Sequence, residues 1–134
     1  MTLSLSDELR DARLQPFIDI LDGGVGPGYI EFYDGVRPAT GGAVTTLLST
    51  HTLSTPCGTI AEQTLTFNAI NDDISADAAA NATWARFYDG DSVFQMDADC
   101  GVEGSGADFI FDDDAILVGA LIHVSAGSIS EGGG

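Results

Sequence analysis

A tetrapeptide that occurs twice, each time after a strand-like run, constrains the fold of this chain more than any other feature. Phe32-Tyr33-Asp34-Gly35 follows Tyr29-Ile30-Glu31, and Phe87-Tyr88-Asp89-Gly90 follows Trp84-Ala85-Arg86. Aromatic residues that alternate with polar ones are typical of a strand with one buried face. Asp-Gly favours a tight turn, because glycine accepts a positive φ and aspartate hydrogen-bonds the local backbone. The two copies predict a small, mainly β domain. The repeat itself has two possible explanations, equivalent strands in two sheets or chance.

Strand-like runs and turn residues alternate along most of the chain at intervals of roughly ten residues. Strands are predicted over residues 29–33, 44–53, 59–69, 83–88, 92–98, 109–111, 116–118 and 121–129, the fourth and fifth forming a hairpin. About seven or eight short strands with this spacing favour a β-sandwich or jelly roll. We predict a mainly β domain over residues 25–131, followed by a glycine tail over residues 132–134.

The one clear helical pattern lies in residues 4–22, within a predicted N-terminal helical arm of residues 1–24. Ser6 is a suitable N-cap, and acidic residues follow it in the first turn. Pro16 predicts a kink or the start of a second short helix. The helix is expected to lie against the sandwich or to reach towards a partner. Its predicted apolar stripe consists of Leu5, Leu9, Ala12, Phe17, Ile20 and Leu21.

The charge of the chain excludes several classes of partner. Among 134 residues, 21 are acidic and four are basic, which gives a formal net charge of -17. Such a surface repels nucleic acid and anionic lipid, so we expect neither as a partner. No apolar run is long enough to span a membrane, and the polar N-terminus does not resemble a signal peptide. We therefore expect a protein that is made and assembled in a cytoplasm.

No group of residues forms a recognisable catalytic or metal site, so we predict neither an enzyme nor a cofactor. The segment 96–108 is rich in carboxylates that are suitable for Ca²⁺, but Val102 occupies the position at which an EF-hand needs glycine. We interpret its acids, Asp97, Asp99, Glu103 and Asp108, as a solvated loop, although a Ca²⁺ site shared between subunits stays open. His51 and His123 lie in strand-like runs and are predicted to have packing or hydrogen-bonding roles.

Two cysteines, Cys57 and Cys100, allow one disulfide. In a reducing compartment we expect them to be buried free thiols instead.

The chain resembles small tailed-bacteriophage virion proteins over residues 5–48 and 77–129. Four stretches in order carry the resemblance, namely a helix like residues 9–14, a strand, turn and Pro-Ala-Thr loop at 29–40, an aromatic strand at 80–89 and Gly-Ser-Gly-Ala-Asp at 104–108. Members of this class are structural proteins of the virus head, and some resemble cement or decoration proteins. The resemblance therefore implies a non-catalytic virion protein.

Our first hypothesis is a capsid cement protein on the surface of the virion, which binds the major capsid protein shell and forms a homo-oligomer, a dimer or trimer. The alternative is a tail or head-fibre module that binds a host receptor or glycan.

Trp84 and Tyr88 are predicted core anchors, and Tyr33 is predicted to be exposed near a turn. The arginines are expected to pair with carboxylates of the same chain or to contact a partner. The candidate interface residues are Arg10, Arg13, Phe17, Ile20, Leu21, Tyr33 and Arg37.

Overall fold

A computed structural model describes residues 4–72, 78–102, 109–111, 115–116 and 124–130. The chain is mainly β, as predicted, with two short helices, α1 (Asp7–Ala12) and α2 (Gln15–Leu21). The strands are β1 (Tyr29–Tyr33), β2 (Leu47–Thr52), β3 (Gly58–Ala61), β4 (Thr64–Phe67), β5 (Ala80–Asn81), β6 (Trp84–Tyr88), β7 (Phe94–Val102), β8 (Phe109–Phe111), β9 (Ala115–Ile116) and β10 (Val124–Ser130).

Eight of these strands are hydrogen-bonded in the order β2-β1-β6-β7-β8-β10-β4-β3, and β5 pairs separately with β9. β7 and β8 are parallel, whereas the other paired strands are antiparallel. Phe87 of β6 and Phe67 of β4 come from distant places in this order, yet their ring centroids lie 5.6 Å apart. The strands near β2 and the strands near β3, at opposite ends of this order, therefore face each other across one core, which is consistent with the predicted β-sandwich.

The core lies between these two groups of strands and extends to α2. Phe32, Phe87, Ile30, Leu48 and Leu65 are fully buried within one apolar cluster. Leu14, Ile18 and Leu21 join the same cluster from the N-terminal segment. The segment predicted as an arm thus packs against the sandwich, which is the first of the two positions expected for it.

The start of the helical region agrees with the prediction, and its apolar stripe agrees in part, since Leu21 belongs to the core cluster and Phe17 packs against it. The Ser6 hydroxyl accepts a hydrogen bond from the backbone N–H of Leu9 at 3.1 Å, and Pro16 lies in the first turn of α2. The break between the helices changes which positions face the core, because α2 begins a new helical phase. Leu9 and Ile20 are therefore exposed at 47% and 46%, whereas Leu14, absent from the predicted stripe, is fully buried.

Several predicted strand boundaries were wrong. The second strand begins at Leu47, since residues 34–46 form a long loop that we call the strap. The predicted strand 59–69 is a hairpin of β3 and β4, in which Glu62 and Gln63 turn the chain with φ of 51° and 57°. The strands predicted over 116–118 and 121–129 overlap β9 and β10, and residues 117–118 and 121–123 lie outside the described residues. The hairpin of β6 and β7 was predicted correctly, although β7 is longer than expected.

The two copies of the tetrapeptide lie on neighbouring strands of the same sheet. β1 and β6 are antiparallel, with Tyr29 opposite Tyr88 and Tyr33 opposite Trp84. The two Asp-Gly turns consequently lie at opposite ends of this strand pair. The explanation by equivalent strands in two sheets was therefore wrong.

Some predicted features lie outside the described residues. They are His123, Glu103, Asp108, the acidic run 112–114 and the glycine tail 132–134. Within the residues that the structure describes, no helix is long and apolar enough to cross a membrane.

Candidate functional site

An open apolar pocket lies between α2 and β7. Its volume is about 180 Å³ and its wall is almost entirely carbon. The residues that line it are Pro16, Phe17, Ile20, Leu21, Gln95 and Met96. Three of them, Phe17, Ile20 and Leu21, are candidate interface residues from the sequence. Leu21 is only 2% exposed, so it forms the floor, whereas Ile20 is available at the rim.

Two loops beside this pocket expose further apolar side chains. Val25 is 98% exposed and Val93 is 54% exposed. The loops are tied together, because the backbone N–H of Gly90 donates to the Gly23 carbonyl at 2.8 Å and that of Val25 donates to the Asp91 carboxylate at 3.1 Å. We use the name apolar tip for Ile20, Val25, Val93 and the pocket.

Only part of this site was predicted from local patterns. An isolated valine in the glycine-rich run 23–28 was the one local signal for Val25, since no apolar neighbour in the sequence explains it. Gln95 and Met96 were assigned to the hairpin, and their approach to α2 depends on tertiary packing.

The Asp89 turn holds the tip in a fixed shape. One Asp89 carboxylate oxygen accepts hydrogen bonds from the N–H groups of Asp91 and Val93, at 2.9 and 3.0 Å. The other oxygen accepts one from the side-chain amide of Gln95 at 3.1 Å. These hydrogen bonds, led by that of Val93, lower the pKa of Asp89 below its usual value. Asp89 is therefore charged at neutral pH, next to a residue that lines the pocket.

The arginines predicted at the interface lie in three different settings. Arg10 is near Asp7 of its own helix, with 3.6 Å between nitrogen and oxygen. Arg13 is exposed at the C-cap of α1. Arg37 lies in the strap and pairs with Asp99 of β7 at 3.4 Å. Arg10 and Arg37 thus take the intramolecular alternative, and neither contributes to the wall of the pocket.

Tyr33, which was predicted to be exposed, is buried beneath the strap. It is 3% exposed and stacks on Trp84, with ring centroids 4.6 Å apart. The Trp84 indole N–H donates to the Asp34 carbonyl and to the Thr45 hydroxyl, each at 3.0 Å. Because the strap closes over both rings, Tyr33 belongs to a second apolar layer on the outer face of the sheet. Trp84 is fully buried, but it lies in this outer layer and not in the core cluster in which it was predicted as an anchor.

Beyond the strap, the same face carries a half-buried tyrosine pair. The rings of Tyr29 and Tyr88 are stacked with centroids 4.9 Å apart. The Tyr33 hydroxyl donates to the Glu31 carboxylate at 3.3 Å. Burial, followed by the charge of Glu31, raises the pKa of Tyr33. This surface offers aromatic rings and a carboxylate to a ligand, but its polar groups already bond to one another.

The histidine and the buried cysteine of the core have structural surroundings. His51 is fully buried, and its two ring nitrogens lie 2.7 Å from the Asn71 carbonyl oxygen and 3.0 Å from the Ser49 hydroxyl oxygen. Both nitrogens are therefore engaged inside the fold. Cys57 and Cys100 are buried free thiols, as predicted. Burial and the nearby Asp22 raise the pKa of Cys57 to about 12, which keeps it from acting as a thiolate nucleophile.

The acids of segment 96–108 do not form the predicted solvated loop where the structure describes them. Asp97 and Asp99 lie in β7, and each is paired with an arginine. Among the described residues, no group of three or more histidine, cysteine, aspartate or glutamate side chains is arranged to hold a metal ion.

Comparisons with protein-family models, with curated proteins and with solved structures find no significant match to this chain.

Proposed function

We propose that this protein is a structural protein of a tailed-bacteriophage virion, a capsid cement protein that binds the outer shell of the major capsid protein and stabilises it. In this role it is a binding protein rather than an enzyme, it is located on the capsid surface, and it acts as a dimer or trimer. The resemblance of residues 5–48 and 77–129 to virion proteins motivates the proposal.

The observation that carries the proposal is the apolar tip on an otherwise strongly acidic protein. Exposed valines and an open apolar pocket lose contact with water when a partner covers them, and that burial supplies binding free energy. The tip is also rigid, because α2 is anchored in the core through Ile18 and Leu21 and the Asp89 turn is hydrogen-bonded throughout. A rigid apolar surface loses little conformational entropy on binding, which suits a protein that holds neighbouring subunits together.

The chemistry of the described polar groups agrees with a binding role. The ring nitrogens of His51 are occupied by Asn71 and Ser49, and burial keeps the Cys57 thiol protonated. Neither group is available to a substrate as a base or a nucleophile.

The test is to add the purified protein to phage heads assembled without it, and to image the heads by electron cryo-microscopy. We expect regular density at symmetry axes of the shell and heads that withstand a higher temperature. Ile20→Asp should reduce occupancy, whereas Val36→Asp, a matched change at an exposed residue in the strap, should not. Wild-type protein that leaves the heads bare would refute the cement role.

A receptor-binding module of the tail or head fibre is the second candidate, and the stacked Tyr29–Tyr88 pair beside Glu31 favours it. Sugars pack on aromatic rings and hydrogen-bond to carboxylates, and this face carries both kinds of group, with one Glu31 oxygen accepting from the Tyr33 hydroxyl. Binding to immobilised host glycans that is lost in Tyr88→Ala and retained in Ile20→Asp would support this candidate over the first.

A further inference from the structure

The size and wall of the pocket restrict what can occupy it. Benzene fills an apolar cavity of about 150 Å³, and the pocket between α2 and β7 measures about 180 Å³. It therefore has room for one large apolar side chain, such as leucine or phenylalanine. Among the residues that the structure describes, Gln95 is the single polar side chain of the wall, and its amide already donates to Asp89. A polar or charged side chain in the pocket would lose its hydration without gaining a partner.

The charges beside the pocket are negative. Asp19 lies on α2 between lining residues, is exposed, and accepts a hydrogen bond from the Gln15 amide at 2.9 Å. Asp89 is one hydrogen bond away from the lining residue Gln95. Asp91, also exposed, is bonded to the backbone of Val25. The surroundings of the pocket thus carry negative charge on α2 and on the loop before β7.

Three of the four arginines lie with acids outside the pocket. Arg37 and Arg86 are paired with acids of β7 on the outer face of the sheet, and Arg10 is near Asp7. Arg13, at the end of α1, is the basic residue nearest to the pocket along the chain. A second copy of this protein carries the same formal charge of -17 and would be repelled by the acids at the tip.

We propose that the pocket binds a segment of the major capsid protein in which one large apolar side chain has lysine or arginine neighbours. The apolar side chain enters the pocket, and the neighbouring cations face Asp19, Asp89 and Asp91. This inference rests on the proposed cement function and adds to it the chemistry of the partner. Charge complementarity of this kind speeds association and excludes acidic competitors, while the buried side chain provides most of the affinity.

A photo-crosslinking experiment identifies the occupant directly. Gln15, an exposed residue next to the lining residue Pro16, is replaced by p-benzoylphenylalanine, the protein is bound to phage heads assembled without it, and the cross-linked peptide is sequenced by mass spectrometry. The control carries the same probe at Val36 in the strap. We expect the Gln15 probe, and not the Val36 probe, to capture a capsid segment with lysine or arginine next to an apolar residue. Capture of an acidic or wholly polar segment, or of a second copy of this chain, would overturn the inference.

A charge reversal at the rim tests the electrostatic part. Asp19→Lys should lower affinity for the heads by about tenfold at low salt. Glu8→Lys makes the same charge change on α1 and should alter that affinity by less than about twofold. Wild-type affinity should fall as salt is raised, and the fall should be shallower for Asp19→Lys.

The outcomes separate this inference from the function on which it rests. If the heads bind wild-type protein, Asp19→Lys and Glu8→Lys equally well, the cement role stands and the basic occupant is excluded. If the heads bind none of them, the cement role fails and the inference fails with it.

Discussion

Arg86 and Asp97 form a buried ion pair across β6 and β7, beneath the strap. The Arg86 guanidinium donates two hydrogen bonds to the Asp97 carboxylate, at 2.8 and 3.1 Å, and the two side chains are only 7% and 4% exposed. The guanidinium also lies against the rings of Trp84 and Phe94, at 5.3 and 4.9 Å from their centroids. The Gly41 N–H of the strap donates to the same carboxylate, so the pair connects the strap to the sheet.

Removing one member of this pair should destabilise the protein strongly. Arg86→Met leaves the Asp97 carboxylate buried without its counter-charge, and we expect the free energy of unfolding to fall by about 3–5 kcal/mol. Urea denaturation followed by circular dichroism measures the change. Adding Asp97→Leu to Arg86→Met should restore part of the loss, because the unpaired charge is then absent. A single variant as stable as wild type would contradict this account.

The exposed pair of Arg37 and Asp99 provides the matched comparison on the same sheet. Its atoms are 3.4 Å apart, and the side chains are 42% and 59% exposed. Exposed pairs contribute little, because water and salt screen them. Arg37→Met should therefore change the free energy of unfolding by less than about 1 kcal/mol. A loss equal to that of Arg86→Met would show that burial does not decide the strength of these pairs.

The elements that were predicted well from the sequence are those with local signals. Ser6 before two acids marks a helix start, and Asp89-Gly90 between two apolar runs marks a hairpin, because capping and turn formation depend on neighbouring residues. The β3–β4 turn escaped prediction, since Glu62 and Gln63 adopt a positive φ that neither residue favours by itself.

The parts that could not be predicted depend on contacts between distant residues. Tyr33 is followed by a turn and looked exposed, but the strap folds back over it, a contact that no local pattern encodes. At the candidate site, helical spacing found Phe17 and Ile20, while Met96 joined them only through the packing of β7 against α2.

Trp84, the single tryptophan of the chain, should report the closure of the strap. Its emission should be blue-shifted and poorly quenched by acrylamide, since the indole is fully buried. Thr45→Val removes the hydroxyl that accepts from the indole N–H, and we expect it to cost about 1 kcal/mol and to increase quenching. Thr59→Val, an exposed change on β3, is the control. Quenching that is unchanged in Thr45→Val would mean that the strap closes without this hydrogen bond.

The two glycines of the repeated tetrapeptide should respond differently to alanine. A β-carbon on Gly90 would lie 1.9 Å from the Gly26 carbonyl oxygen, so the tip loops must separate. Gly35 has a φ of +74°, but its β-carbon would meet only Thr45, at 3.6 Å. Gly90→Ala should lower the free energy of unfolding by about 3 kcal/mol or more, and Gly35→Ala by about 1 kcal/mol. Thermal denaturation of both variants gives the comparison, and equal losses would refute the close approach of the two loops.

The raised pKa of Cys57 predicts a loss of stability in alkali. A cysteine thiol in water has an ordinary pKa of 9.0, and in the fold the pKa of Cys57 is about 12, because burial and the charge of Asp22 oppose its ionisation. The fold therefore favours the protonated thiol. Its contribution to stability is complete below pH 9.0 and is lost as the pH rises towards 12. For one group, the free energy of unfolding falls by at most about 1.4 kcal/mol per pH unit.

Tyr33 and Tyr88 also have raised pKa values, so they contribute to the pH dependence of the wild-type protein. The comparison with Cys57→Ala isolates the contribution of the thiol. Urea denaturation between about pH 8 and 11 should show a steeper decline for wild type than for Cys57→Ala, relative to the stability of each at the lower pH. Parallel curves would show that Cys57 ionises in the folded protein as easily as in the unfolded chain.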